Sequence, residues 1–231
     1  MKNHIHKLAG FGFGAKVPEP GFRFLLGLLV TFYVAFASGA EADRKAIVIV
    51  GDSLAAGHGV DPEEAFPGLL QERINEKKLP YEIVNAGVSG DTTAGGVRRM
   101  PWLLKRKMDV LVLELGGNDG LRGITPRETK TNLEKIIDLA RKKNPDLQII
   151  VAGMQMPQNM GEEYTREFRE VFPKVAKEKK TKLIPFLLEG VGGKPELNLP
   201  DRIHPNPKGH KIIADTVWSV LEPLLTERQK S

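Results

Sequence analysis

The sequence predicts an α/β fold, a three-layer α/β/α sandwich around a five-stranded parallel sheet in the flavodoxin-like order 2-1-3-4-5. Three observations carry this. From Lys45 onward, short β-branched runs alternate with amphipathic helical patterns. The runs are almost continuously apolar, as in strands covered on both faces. A helical stretch fits between each consecutive pair, which implies right-handed crossovers and helices on both sides of one sheet.

Strands are expected at 46–50, 81–86, 110–115, 148–152 and 182–186. Between the first two, Asp61-Pro62-Glu63-Glu64 has the form of a cap. Proline stands in the first turn and an acid three residues after the aspartate, so a helix is expected from there to about Lys77. A second helix runs from Thr92 to about Lys105, interrupted near Pro101. Thr125-Pro126-Arg127-Glu128 is a capping box opening a third, in which Leu133, Ile136, Ile137 and Ala140 share a face and which Asn144-Pro145 ends. The fourth spans Tyr164 to Lys179. Asn206-Pro207 caps the last, with Ile213, Val217, Val220, Leu221 and Leu224 as its buried stripe. Lysine pairs near predicted helix ends suit the helix dipole.

Residues 1–42 are expected to be a secretory leader and 43–231 the globular domain. A basic stretch precedes the apolar run Phe24 to Ala37, and small residues follow, so cleavage after Ala40 or Ala42 fits the pattern. The uncleaved alternative is a membrane anchor, for which the run is short. The expected address is periplasmic or secreted. Of the formal net charge of +5, the first 40 residues carry +3 (Lys2, Lys7, Lys16 and Arg23 against Glu19). The rest is too weakly basic for a nucleic-acid footprint, so no nucleic-acid partner is expected. The absence of cysteine excludes a thiol nucleophile, a thiolate metal site and disulfides.

In a doubly wound sheet ligands bind beyond the carboxyl ends of the strands, at the switch point between strands one and three. Polar, glycine-rich blocks stand there: Gly51-Asp52-Ser53-Leu54 after strand one, Asn85-Ala86-Gly87-Val88-Ser89-Gly90-Asp91 after strand two, and Gly116-Gly117-Asn118-Asp119 after strand three. Asp201-Arg202-Ile203-His204 precedes the last helix. Singly each is an ordinary turn. Chance agreement of all four, in order and each after the right element, is remote. Together they resemble the serine, glycine, asparagine and histidine blocks of the SGNH (GDSL) hydrolases, over essentially all of residues 45–225. Glu114 to Gly123 and the Tyr164…Phe172-Pro173-Lys174 stretch are similar to the exported bacterial thioesterase/lysophospholipase/arylesterase branch.

The resemblance implies a serine hydrolase acting on acyl esters or thioesters, and the residues agree. A serine hydroxyl needs a base to become a nucleophile. Of five histidines, His4 and His6 lie in the leader, His58 is expected at the surface of a loop, and His210 at the surface or as a cap in the last helix. His204 remains, with Asp201 three residues before it to fix its tautomer. Ser53, Asp201 and His204 are therefore the expected triad. The Ser53 N–H, the Gly87 N–H and the Asn118 side chain are the expected oxyanion donors. A helix start at Ser53 adds a favourable dipole. Asp52 is expected to make a structural bond, and Asp91 and Asp119 to serve as turn and cap residues. Acyl-groove walls are sought at 92–97 and 155–161, with Met156 and Pro157 as a wall and Met154 and Met160 nearby.

No cofactor and no metal are expected. The partner is a small-molecule acyl ester or lipid, with no stable membrane insertion once the leader is removed. Two alternatives stand beside this. One is a carbohydrate or cell-wall O-acetylesterase on the same fold, which exposed aromatics would favour; Trp102 and Trp218 are better read as packing. The other is a non-enzymatic flavodoxin-like binding module, against which Asp52 would repel a phosphate after strand one.

Overall fold

The structure, a computed structural model, describes residues 44–227. The expected leader lies outside the described residues. Five parallel strands, β1 (Lys45–Gly51), β2 (Tyr81–Gly87), β3 (Val110–Glu114), β4 (Gln148–Ala152) and β5 (Lys182–Ile184), form one sheet in the order β2-β1-β3-β4-β5. The expected topology is the observed one. β1 pairs on one side with β2, from Lys45–Tyr81 to Gly51–Gly87, and on the other with β3, from Ile47–Val110 to Gly51–Glu114. Gly51, Gly87 and Glu114 thus end level, and the chain leaves all three strands at the same rim.

Among the described residues seven α-helices flank the strands: α1 (Ser53–Ala56), α2 (Phe66–Glu76), α3 (Thr93–Leu103), α4 (Gly117–Leu121), α5 (Pro126–Lys143), α6 (Glu162–Glu178) and α7 (Pro207–Glu227). α2 packs with α7, and α5 packs with both α3 and α6, so the sheet has a helical layer on each side. Ile47, Val48, Ile49 and Val50 of β1 and all of β3 are buried, as strands between two helical layers must be. In α5, Leu133, Ile136, Ile137 and Ala140 are buried together, and the Thr125 side chain accepts the Glu128 N–H. Among the described residues no helix is long and apolar enough to cross a membrane.

Three expectations need correction, two of them because of proline. Asp61-Pro62-Glu63-Glu64 is a separate turn, closed by the Glu64 and Ala65 N–H groups on the Asp61 carbonyl, and α2 begins only at Phe66. The proline of its first turn is Pro67, where the missing N–H costs nothing. β5 ends at Ile184 because Pro185 has no N–H for the ladder. Trp218 does pack, but Trp102 is 69% exposed on α3.

Candidate active site

Asp52 turns the chain out of β1. Its Oδ1 accepts the Leu54 N–H at 3.0 Å, making it the N-cap of α1, and Ser53 becomes the first helical residue. The turn is tight enough that a Cβ on Gly51 would run into the Glu114 carboxyl and the Ala55 methyl group. α1 is only four residues, closed by Gly57 in the left-handed region. The dipole expected at Ser53 is correspondingly small. What the turn offers is the Ser53 N–H itself, a first-turn amide that no helical carbonyl serves.

The loop before α7 brings a histidine and a carboxylate to Ser53. His204 Nε2 lies 3.0 Å from Ser53 Oγ, and His204 Nδ1 lies 2.7 Å from Asp201 Oδ2. The other Asp201 oxygen accepts the Ile203 and His204 N–H groups at 2.9 and 3.0 Å, an Asx-type turn that holds the acid beneath the ring. These contacts, led by the His204 N–H, keep the Asp201 carboxyl well below the usual range, so it is ionised. The loop is pinned at both ends. Leu199 N–H donates to His204 O at 2.7 Å, and Asn198 donates to Val191 O and Lys194 O. Asn206 caps α7 through the Lys208 and Gly209 N–H groups. Arg202, between the acid and the base, has a positive φ of 61°. Such a backbone costs a non-glycine residue of the order of 1 kcal/mol or more.

Beneath Ser53 lies a buried acid pair. Glu114, fully buried at the end of β3, accepts the Asp52 N–H at 3.1 Å through Oε2, while Oε1 has no partner. Burial, and then the adjacent Asp52 charge, push the Glu114 carboxyl well above its usual range, which favours its protonated form. Burial also lifts Asp52, to about 6, against the opposing pull of the Leu54 N–H, His204 and Asn118.

Asn118 stands on α4. Its amide donates to Asp52 Oδ2 at 3.0 Å and to the Asp91 carbonyl at 2.9 Å, so both hydrogens are engaged within the protein. The Gly87 N–H donates to Asn85 Oδ1 at 2.9 Å. A Cβ on Gly87 would meet the backbone of Ala55 and Ala56, so β2 approaches α1 only because the residue is glycine. The Asp52 bond to Leu54 is the structural one expected of it. Asp119 is more than a turn residue: it is fully buried and accepts both the N–H and the hydroxyl of Thr93, tying α4 to α3. Asp91 accepts from Thr92 N–H and pairs with Arg99.

An open cleft of about 510 Å³ adjoins Ser53 and His204, with walls that include Leu54, Leu121, Met154, Met156, Pro157 and Ile203. Met156 and Pro157 are thus on the cleft; Met160 and 92–97 are not among its lining residues. That volume is within the range of small-molecule sites. Leu121 and Ile203 are large apolar side chains left about half exposed at this site.

One histidine differs from expectation, and another has a neighbour the sequence did not suggest. His210 is buried, not at the surface; its Nδ1 accepts the Phe66 N–H at 3.2 Å and so caps α2, a different helix from its own. Burial lowers its pKa to about 4, so it is neutral. His58 is exposed, but its ring lies against that of His204, centroids 4.3 Å apart. Arg99 went unnoticed in the sequence. It donates to Asp91, to Ala86 O at 2.8 Å and to Gly51 O at 3.3 Å, joining the ends of β1 and β2 to the loop that follows. An arginine seven residues after an Asp-Thr helix start carries no local signal for this.

Comparison with known proteins places these features in company. The pattern of the GDSL-like Lipase/Acylhydrolase family matches residues 49–212. Esterase TesA of Pseudomonas aeruginosa is 40% identical over 186 residues, 80% of this chain and 92% of its own. An arylesterase of Vibrio mimicus is 37% identical, covering 84% and 94%. Thioesterase 1/protease 1/lysophospholipase L1 of Escherichia coli K12 is 38% identical, covering 87% and 92%. A crystal structure of TesA superimposes with a TM-score of 0.75 over 78% of this chain and 99% of that one.

Proposed function

This chain belongs to the GDSL-like lipase/acylhydrolase family and is a carboxylic ester hydrolase, and we propose that it cleaves acyl esters and thioesters through an acyl-enzyme on Ser53. His204 is the general base and then the general acid, and Asp201 orients it. The observation that carries this reading is the unbroken chain from Ser53 Oγ through both His204 nitrogens to Asp201. Nε2 takes the serine proton as Oγ adds to the acyl carbonyl. Asp201 stabilises the imidazolium without taking its proton. His204 returns the proton to the departing alcohol or thiol, and a water activated the same way releases the acid and restores the serine.

The carbonyl oxygen becomes an oxyanion beside the Ser53 N–H, the donor that is free for it. The Gly87 N–H and the Asn118 amide serve as the other two by giving up Asn85 Oδ1 and one of the two internal acceptors of Asn118. Such an exchange favours the oxyanion because a charged acceptor makes the stronger bond.

The apolar walls of the cleft favour an acyl chain longer than acetyl. We read residues 1–42 as an export leader and the hydrolase domain as 43–231, which gives the enzyme a periplasmic or secreted address. The relatives named for arylesterase, thioesterase and lysophospholipase activities mark the substrate classes to test.

The test is a series of p-nitrophenyl esters from acetate to dodecanoate, hydrolysed by the wild type and by Ser53→Ala. The expected rate rises from acetate towards medium chains and falls by at least about 10⁴-fold in Ser53→Ala. An unchanged rate in the variant would sink the Ser53 mechanism. A strong preference for acetate over octanoate would redirect the substrate to a carbohydrate O-acetyl group.

A further inference from the structure

We propose that His58, Asp201 and His204 together form a binding site for a divalent transition-metal ion of the zinc type, whose occupancy reversibly arrests the hydrolase. The inhibitory part rests on the role given above to His204; the binding part does not. Each of the three residues offers one ligand atom, and these atoms all lie within 4.8 Å of one another. A tetrahedral zinc ion with bonds of about 2.0–2.1 Å needs its ligands about 3.4 Å apart. His58 and Asp201 are exposed, so the adjustment is made at the surface: His58 moves inward, and Asp201 Oδ2, 2.7 Å from His204 Nδ1, opens slightly if both ligate.

His58 hangs from the nucleophile's own turn. Its N–H donates to the Ser53 carbonyl at 3.0 Å, just after the left-handed Gly57 that ends α1. Gly59 follows with a φ of 76°, and a Cβ there would strike the Leu199 side chain, so the His58 turn sits close against the triad loop. This close approach brings the two imidazoles side by side, their centroids 4.3 Å apart and their planes tilted by 42°. Neither the triad chemistry nor the apolar cleft uses His58. Two imidazole nitrogens and one carboxylate oxygen suit Zn²⁺, Ni²⁺ or Cu²⁺, and suit Mg²⁺ and Ca²⁺ poorly.

Arrest follows from where the lone pairs go. A metal on His204 Nε2 takes the lone pair that would accept the Ser53 proton. A metal on Nδ1 displaces the Asp201 bond and leaves the neutral ring's proton on Nε2, facing the serine. In both cases the base is lost, and a chelator restores it by removing the metal.

Isothermal titration of the full-length Ser53→Ala protein with Zn²⁺ tests the site without reference to turnover. The expected result is Zn²⁺ binding that the further change His58→Ala weakens at least about tenfold, and no binding of Mg²⁺. On the wild type, Zn²⁺ inhibits p-nitrophenyl ester hydrolysis, EDTA reverses it, and His58→Ala raises the inhibition constant in step with the loss of binding, each variant being referred to its own metal-free rate. Zn²⁺ affinity indifferent to His58→Ala, as binding through His4 and His6 would give, overturns the site. Binding at the site without inhibition overturns the arrest alone. A wild type with no hydrolysis to inhibit counts against the hydrolase mechanism and leaves the binding result standing.

Discussion

Three carboxyl groups near Ser53 are held in three different states, and the surroundings of each decide which. Asp201 is ionised because backbone N–H groups and His204 surround it. Glu114 is pushed well above the usual carboxylate range because burial, and then the Asp52 charge, outweigh the backbone N–H groups of Asp52 and Ala55. Asp52, between them in character, passes its state to Asn118 through the bond at 3.0 Å. An acid whose pKa folding raises holds its proton more tightly in the native state. Above the ordinary carboxylate range the unfolded chain ionises first, so stability falls as pH rises towards the native value. Glutamine cannot ionise. Urea denaturation from pH 5 to 9 is therefore expected to show a flatter stability profile for Glu114→Gln than for wild type, with parallel profiles counting against a raised Glu114 pKa. Asn118→Ala is expected to lower kcat by about 10²–10³ with the fold intact by circular dichroism; a loss confined to KM would remove it from the oxyanion site. That Ser53, His204 and Asp201 would meet was legible because a serine nucleophile demands a base and only one histidine was expected to face the strand ends. Glu114 was hidden inside an apolar strand, although an acid closing the run Val110 to Glu114 beside the site was a usable sign. His58 is at the surface as expected, but its contact with His204 left no local signal, because the two are distant in sequence.

At the scale of elements, α2 is started by a residue of α7. Ala65, its N-cap, provides no side-chain acceptor, and the buried imidazole of His210 takes the Phe66 N–H instead. A histidine whose pKa falls on folding binds fewer protons in the native state, so stability is lost as pH falls from its ordinary range near 6.5 towards 4. His210→Ala is expected to cost about 1–3 kcal/mol at pH 7, the cost of stranding a buried donor. Its stability also changes less than that of wild type between pH 7 and 4. Chemical denaturation at both pH values checks this; an equal acid loss in the variant would show that another group titrates. Helix and strand cores were legible because hydrophobic periodicity marks buried faces directly. Their ends were less so. At Asp61 a turn used the same residues a helix start would use, and at Pro185 a missing N–H ended a strand that its hydrophobicity would have continued. That His210 caps a helix 144 residues away is a tertiary fact no local pattern contains.

At the scale of the molecule, the doubly wound order does the assembling. β1 lies between β2 and β3, so the residues that follow all three strands emerge at one rim. The helix α7 returns across β4 and β5 and brings the Asp201–His204 loop to the same end. Ser53 and His204, 151 residues apart, meet there at 3.0 Å. The fold class and four site blocks were legible because parallel βα units leave a strong pattern and because catalytic loops follow strands. The cleft's shape was not, since Leu121 of α4 and Met156 and Ile203 of two separate loops converge on it. The central claim, an acyl-enzyme on Ser53 formed with His204 as base, is tested most directly by intact-protein and peptide mass spectrometry after treatment with a fluorophosphonate ester. The expected result is one adduct per chain, on the peptide containing Ser53, absent in Ser53→Ala and strongly slowed in His204→Ala. An adduct on another residue, or full ester hydrolysis by protein already quantitatively modified at Ser53, would contradict it.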